Sequence, residues 1–216
     1  MYAGLMPFAF PRIYPILDRS FLPAKNRSAA LHALGASLAQ TGVTLLEYRN
    51  KLDRENALLA DCAVLRAAMP GVKLILDDRA DLVAQTGFDG VHVDADDLAV
   101  AEARKLLGSD RIIGTYGGTE SLLHGILSEP ADYFSIGPIG PTTTKNTTKL
   151  PIGVEGVRKL RAAAGPAPVL VAAGGVTFAQ APALIAAGAS MLAVAAGIFS
   201  AADPAAEFKR WVSAVA

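Results

Sequence analysis

The chain has 216 residues, enough to bury one substantial core without calling for a second domain. Hydrophobic residues make up 52% of it, which excludes a disordered chain and favours a large buried sheet. Lys plus Arg equals Asp plus Glu at 20 each, so the charge balance gives no reason to expect a nucleic acid or an anionic membrane as partner.

The apolar opening of the chain is interrupted by Pro7 and Pro11, and it lacks a basic start and a small-residue cleavage site. We therefore expect residues 1–11 to be an N-terminal extension of one domain spanning residues 1–216, not a signal peptide. No apolar run reaches the roughly 18 residues of a membrane span. We predict a cytoplasmic protein in which Cys62, within an apolar helical pattern, is a buried thiol.

Short β-rich runs then alternate with longer Ala- and Leu-rich amphipathic segments. The predicted strands are Ile13–Leu17, Val43–Arg49, Lys73–Asp77, Gly90–Val93, Arg111–Thr115, Tyr133–Ile136, Val169–Ala173 and Met191–Ala195. The predicted helices are Ser28–Gln40, Arg54–Met69, Asp78–Thr86, Asp97–Leu107, Thr119–Ser128, Val154–Ala164, Phe178–Ala187 and Pro204–Val215. Apolar strands each followed by a helix indicate parallel pairing with both faces covered.

Eight such units predict an α/β fold, a single-domain (β/α)8 TIM barrel. An open doubly wound sheet is the alternative, although no GxGxxG follows the first strand. The phrases Thr86-Gly87-Phe88-Asp89 and Ala187-Gly188-Ala189-Ser190 share a helix–Gly–strand form. They look like equivalent points of a repeated βα unit.

Charged, hydroxyl and glycine residues cluster just after the predicted strands. In strand order they are Arg49 and Lys51, Asp77 and Asp78, Asp94, Asp96 and Asp97, Thr142, Thr143, Thr144 and Lys145, Gly174 and Gly175, and Ala196 and Gly197. The carboxyl ends of barrel strands converge on one mouth. We therefore predict that these residues surround a common ligand.

The carboxylates of this set predict a magnesium site. Asp78 and Asp97 follow neighbouring strands, and hard oxygen ligands favour Mg2+. Each also precedes a predicted helix, so the alternative is that both are helix N-caps. For Arg49 and Lys51, which are expected on the same side as Glu47, the alternative is a salt-bridged pair on the barrel rim. His92, inside an apolar strand, is expected to be a satisfied core histidine.

The long irregular stretch from Gly137 to Gly153 predicts a functional loop. Its hydroxyls, backbone N–H groups and Lys145 suit phosphate oxygens, although a solvated polar loop has the same composition. The turn Gly174-Gly175 lets a phosphate approach the backbone after the seventh strand, where barrel enzymes often hold one. A plain turn needs glycine as well.

Three motifs resemble the thiamine phosphate synthase family: Asp89-Gly-Val-His-Val, Gly137-Pro-Ile-Gly-Pro-Thr-Thr-Thr-Lys and Ala173-Gly-Gly-Val-Thr. The likeness runs from about Tyr14 to Pro204. It implies a Mg2+-dependent transferase that joins (4-amino-2-methylpyrimidin-5-yl)methyl diphosphate to a thiazole phosphate and releases pyrophosphate. Partners are then phosphorylated small molecules, and the sequence is compatible with a homo-oligomer.

The resemblance also implies roles for individual residues. Asp78 and Asp97 would hold the metal, while Arg49, Lys51 and Lys145 would bind the diphosphate as catalytic residues. The other implied substrate-binding residues are Asp77, Thr142, Thr144, Gly175, Ala195 and Ala196.

The chain departs from the family pattern at four positions. Glu47 replaces Gln and Asp77 replaces Asn, and both changes add negative charge beside a diphosphate. Tyr116 and Ala196 each stand where the family has a serine. A thiazole tautomerase on the same barrel is one alternative, although it has a catalytic histidine where this chain has Pro138. A non-catalytic phosphate-binding regulator is another.

Overall fold

The computed structural model describes residues 8–118, 123, 125–141 and 149–216. Within these ranges eight parallel strands form a closed barrel in chain order, and the last strand pairs with the first. The strands are β1 (Ile13–Asp18), β2 (Leu45–Arg49), β3 (Lys73–Asp77), β4 (Gly90–Val93), β5 (Ile112–Gly118), β6 (Tyr133–Ile136), β7 (Leu170–Ala172) and β8 (Met191–Val194). At the closing pair Pro15 of β1 lies opposite Val194. The predicted barrel is confirmed, and the open-sheet alternative is wrong.

Helices cover the outside of the barrel. They are α1 (Arg27–Ala39), α2 (Glu55–Ala68), α3 (Val83–Thr86), α4 (Val100–Leu107), α5 (Gly153–Ala164), α6 (Ala181–Ala186), α7 (Ala196–Phe199) and α8 (Pro204–Ala214), with 3-10 turns at Arg19–Phe21, Ala80–Leu82 and Phe178–Gln180. Half of the predicted helix Thr119–Ser128 lies outside the ranges above. Among the helices that can be traced, none has the length and apolarity to cross a membrane.

Two predicted helices begin later than expected because of local turns. Asp78 has a left-handed φ of 65°, so the chain turns there and the predicted helix begins as the 3-10 turn at Ala80. The carboxylate of Asp97 accepts a hydrogen bond from the Asp94 N–H, and the helix predicted from Asp97 begins only at Val100. Strand β5 continues to Gly118, past its predicted end. Helix α7 was not predicted, because its four residues are too few to show a helical period.

The hydrophobic core has two layers. Side chains between strands and helices form the larger one, which contains the fully buried Cys62 as expected. The second layer fills the barrel interior with Tyr14, Leu45, Ile75, Ile112, Tyr133, Val171, Met191 and Ala193. Phe8 and Phe10 pack beneath it, and the Phe10 ring meets the Tyr133 ring edge-on at 5.8 Å. The interior is therefore packed, and ligand space lies at the mouth.

Three arginines secure the opposite end of the barrel in the same way. Arg66 of α2, Arg104 of α4 and Arg161 of α5 each donate to carbonyl oxygens between their helix and the next strand. Each also donates to a side chain that lies one strand further along the chain: Asp89 just before β4, Asp132 just before β6 and Ser190 just before β8. Those three side chains in turn accept backbone N–H groups of Leu74, Ile113 and Leu170. The equivalence of Asp89 and Ser190 predicted from the sequence is therefore real, and its period is two βα units.

Candidate functional site

A cavity of about 760 Å³ opens at the carboxyl ends of the strands, and every strand except β7, together with the turn that follows β7, contributes to its wall. The predicted site residues that line it are Arg49, Asp77, Gly175, Ala195 and Ala196. Lys51 lines an adjoining pocket of about 390 Å³ that shares Asp18, Arg49 and Ala196 with it. Thr142, Thr144 and Lys145 lie outside the described residues. The structure thus brings acidic and basic groups from distant segments to one mouth.

Three carboxylates meet at the ends of β3 and β4. One oxygen each of Asp78, Asp94 and Asp97 lies within 4.8 Å of the others. The Asp78 N–H donates to the His92 carbonyl at 2.8 Å, which fixes the turn against β4. Asp78 Oδ1 is buried and has no hydrogen-bond partner in the described part of the chain. A hard, anionic oxygen set with one unused buried ligand atom fits Mg2+.

The helix N-cap alternative for Asp78 and Asp97 is wrong. The N-cap position of α4 is Ala99, and that of the 3-10 turn after β3 is Arg79; neither makes a side-chain capping hydrogen bond. Sequence reasoning placed Asp94 at the mouth but did not assign it to the metal. Its position beside Asp97 depends on a turn in which the Asp97 N–H donates to the Asp94 carbonyl at 3.1 Å.

The two predicted cations contact carboxylates. Arg49 forms an ion pair with Asp18, and its Nε lies 3.5 Å from Asp77 Oδ2. Lys51 contacts Asp78, and its Nζ lies 3.3 Å from Asp77 Oδ2. The salt-bridged rim predicted as their alternative role is therefore present. It is compatible with ligand binding, since Arg49 lines the open cavity and Lys51 lines the pocket that adjoins it.

Glu47, one of the departures from the family pattern, forms the cavity floor. It is 3% exposed, and its Oε2 accepts a hydrogen bond from the Tyr14 hydroxyl at 2.7 Å. The Tyr14 and Tyr133 hydroxyls are 2.8 Å apart, so they continue the chain of hydrogen bonds across the barrel. Burial and the nearby charge of Asp77 raise the pKa of Glu47 to about 8. When Glu47 carries a proton it is neutral. The replacement of Gln by Glu at this position then adds no negative charge beside the diphosphate.

The second acidic departure, Asp77, is also buried, and burial raises its pKa. Lys51, His92 and Arg49 act in the opposite direction. His92 is the register partner of Asp77 on β4 and stacks on the Tyr133 ring at 5.6 Å. As expected His92 is buried, and it also lines the cavity.

The turn after β7 is built against the loop after β6. Gly174 and Gly175 have φ values of 78° and 67°, which residues with a side chain rarely adopt. The Gly174 carbonyl accepts the N–H groups of Ile139 and Gly140 at 2.7 and 3.0 Å. A Cβ on Gly175 would lie 2.4 Å from the Pro141 carbonyl oxygen. Glycine is therefore required at residue 175 for packing, and its phosphate contact stays a prediction.

Tyr116, the third departure, replaces a small hydroxyl with an anchored ring. Its hydroxyl donates to the Gly137 carbonyl at 2.9 Å. The ammonium of Lys149 lies 4.0 Å from the centre of the same ring. Sequence reasoning missed Lys149, because a lysine in a polar loop carries no periodic signal.

The sequence of this chain is similar to that of a known family and its members. Residues 13–198 match the family described as Thiamine monophosphate synthase. The thiamine-phosphate synthase of Xanthomonas campestris pv. campestris (strain 8004) is 42% identical over 168 residues, covering 76% of this chain and 79% of its own. That of Koribacter versatilis is 36% identical over 168 residues, covering 77% and 79%.

Solved structures repeat the fold. Thiamine phosphate pyrophosphorylase from Pyrococcus furiosus has a TM-score of 0.78 at 23% identity, with 94% of this chain and 96% of that chain covered. A 3-hexulose-6-phosphate synthase has a TM-score of 0.66 at 19% identity, with 94% and 100% covered. At these identities the likeness shows the barrel alone.

Proposed function

The chain belongs to the thiamine monophosphate synthase family, and from this premise we propose how it makes thiamine phosphate. Its substrates are (4-amino-2-methylpyrimidin-5-yl)methyl diphosphate and a thiazole phosphate, and pyrophosphate is released. The observation that carries the mechanism is the meeting of Arg49, Lys51 and three carboxylates at one mouth. Such a set can hold a diphosphate together with a divalent ion.

We assign Mg2+ to Asp78 and Asp97, joined by Asp94. Their oxygen atoms and the unused buried Oδ1 of Asp78 support this assignment. When bound, Mg2+ neutralises charge on the diphosphate. Lys51 then exchanges part of its contact with Asp78 for a diphosphate oxygen, and Arg49 offers its remaining N–H donors to the same group.

The reaction needs no covalent nucleophile from the chain. The bond between the methylene carbon and the diphosphate oxygen breaks, and its electron pair leaves with pyrophosphate. The thiazole nitrogen then forms a bond to the methylene carbon. Arg49 and Lys51 stabilise the charge that develops on the leaving group, and a donor preorganised for such charge lowers a barrier by about 3 kcal/mol.

The tautomerase alternative is less compatible with the site. Pro138, which lines the cavity after Gly137, stands where that activity needs a histidine. The non-catalytic alternative is separated by the assay below.

A direct assay tests the proposed function. Purified protein with both substrates and Mg2+ is monitored for pyrophosphate and thiamine phosphate. We expect both products in equal amounts with the wild type. Formation of neither product at any Mg2+ concentration would overturn the proposed function and leave the tautomerase and binding-protein alternatives.

Substitution of the metal carboxylates tests the metal assignment. Asp78→Ala and Asp97→Ala should each abolish Mg2+-dependent turnover while circular dichroism stays unchanged. Asp110→Ala, at an exposed position outside the cavity, is the control and should keep full activity. Wild-type turnover in either cluster variant would contradict the assignment.

Lys145→Ala tests the loop. From the family resemblance we expect strongly slowed turnover, because a cation at the leaving diphosphate is lost. An unchanged rate would remove Lys145 from the site.

A further inference from the structure

A second basic residue lines the cavity besides Arg49. It is Lys149, whose ammonium lies over the ring of Tyr116 on β5. Within the part of the chain that the structure describes, five carboxyl-bearing side chains line the same cavity: Asp18, Glu47, Asp77, Asp94 and Asp96. A cavity with this excess of acids needs further positive charge to accept an anionic ligand.

Lys149 is exposed, and two contacts hold its surroundings in place. Just after it, the N–H of Ile152 donates to the Pro138 carbonyl at 2.8 Å, which ties this part of the chain to the loop after β6. The Tyr116 ring is itself fixed, because its hydroxyl donates to the Gly137 carbonyl. The ring attracts the ammonium through its quadrupole and leaves the positive charge in place for a ligand.

Strand register puts this pair beside the carboxylate cluster. Val93 of β4 pairs with Thr115 of β5, so Asp94 and Tyr116 are the next residues on neighbouring strands. Asp94, Tyr116 and Lys149 all line the cavity. Lys149 therefore lies in the same cavity as Asp94, a member of the cluster of Asp78, Asp94 and Asp97.

We propose that Lys149 is a further binding residue for the diphosphate group, and that Tyr116 is the residue that positions it. The ammonium donates hydrogen bonds to non-bridging oxygens of the diphosphate, both in the substrate and in the pyrophosphate product. No bond to the chain is made or broken. The inference rests on the proposed function for its substrate, and it assigns a role to two residues that the family pattern leaves without one.

Binding of inorganic pyrophosphate tests the proposal without turnover. Isothermal titration in Mg2+ compares the wild type with Lys149→Met, and with Lys159→Met on the exposed face of α5 as control. A lost charge-assisted hydrogen bond should weaken binding about tenfold or more in Lys149→Met. Lys149→Arg should restore most of the affinity. Equal affinities of Lys149→Met and the wild type, or no pyrophosphate binding by the wild type, would overturn the proposal.

Variants of Tyr116 test the positioning role. Tyr116→Leu should weaken pyrophosphate binding about threefold, as expected for a lost cation–π contact, and Tyr116→Phe should weaken it less. In a Lys149→Met background, Tyr116→Leu should have no further effect. An equal effect in both backgrounds would show that Tyr116 acts independently of Lys149 and would overturn its role.

Steady-state kinetics identifies which phosphate Lys149 contacts. Lys149→Met should raise KM for the pyrimidine diphosphate and leave KM for the thiazole phosphate unchanged. The reverse pattern would overturn the assignment to the diphosphate. If pyrophosphate binding depends on Lys149 but no thiamine phosphate forms, the proposed function fails and the inference stands.

Discussion

Glu47 is the residue whose chemistry is most changed by its surroundings. It lies in the barrel floor, where Tyr14 donates to it and Asp77, Asp94 and Arg49 supply nearby charges. Burial opposes the ionised form, so the folded protein binds the Glu47 proton more tightly than the unfolded chain does. At neutral pH the Glu47 side chain therefore lies in the cavity floor without its full negative charge.

This makes the stability of the fold depend on pH through one side chain. The pKa of Glu47 rises from 4.5 to about 8 on folding, so its stabilising effect is complete below pH 4.5 and is lost as pH rises toward 8. We expect Glu47→Gln to gain unfolding free energy relative to the wild type across that interval, on the order of 2–4 kcal/mol. Urea unfolding from pH 5 to 8 measures it. A difference that stays constant with pH would contradict the raised pKa.

At the scale of elements, the arginines at the amino ends of the strands join each helix to two strands. Arg161 of α5 donates to three carbonyls and to Ser190 at distances of 2.8–3.0 Å. Its removal leaves several part-buried acceptors without a donor.

We expect Arg161→Met to lower the unfolding free energy by about 2–3 kcal/mol and to leave both KM values unchanged. Arg158→Met on the same helix is the matched control. Arg158 is exposed and pairs with Glu155, so its loss should cost about 0.5 kcal/mol. Urea unfolding compares the two variants. Equal losses would show that the Arg161 contacts do not stabilise the fold.

Helices and strands could be predicted from the sequence where the hydrophobic pattern is local and periodic. The prediction was less accurate where a tertiary contact determines the boundary of an element. Apolar runs identified the strands because a parallel strand that is buried on both faces is apolar at nearly every position. The start of the helix after β3 was wrong because the Asp78 turn depends on the His92 carbonyl of a neighbouring strand. Of the candidate site, Arg49 follows from its position at the end of a strand, and Asp78 and Asp97 follow from theirs after strands. The pairing of Lys149 with Tyr116 joins distant parts of the chain, and no sequence period shows it.

At the scale of the whole molecule, the two ends of the barrel have different tasks. The mouth holds the acidic and basic groups, and the opposite end holds the arginines and the aromatic plug of Phe8 and Phe10. This division is common in (β/α)8 enzymes, where the carboxyl ends of the strands hold the chemistry and the amino ends support stability.

Phe10→Ala tests the division. The variant loses ring contacts with Tyr133 and Phe8, so we expect about 2 kcal/mol less unfolding free energy. Pyrophosphate affinity in Mg2+ should stay unchanged, since the ring lies below the packed barrel interior. Thermal unfolding and titration measure the two quantities. A weakened affinity would show that the plug is coupled to the mouth.

The closing pair of β1 and β8 has a consequence for how the protein fails. Pro15 has no N–H, so it cannot donate a ladder hydrogen bond at that pair. A barrel hides every strand edge only while it is closed, and opening at this seam frees two edges at once. Each freed edge is a template for intermolecular pairing. Partial unfolding at the seam would therefore turn a sheet without edges into one that grows by adding other copies of the chain.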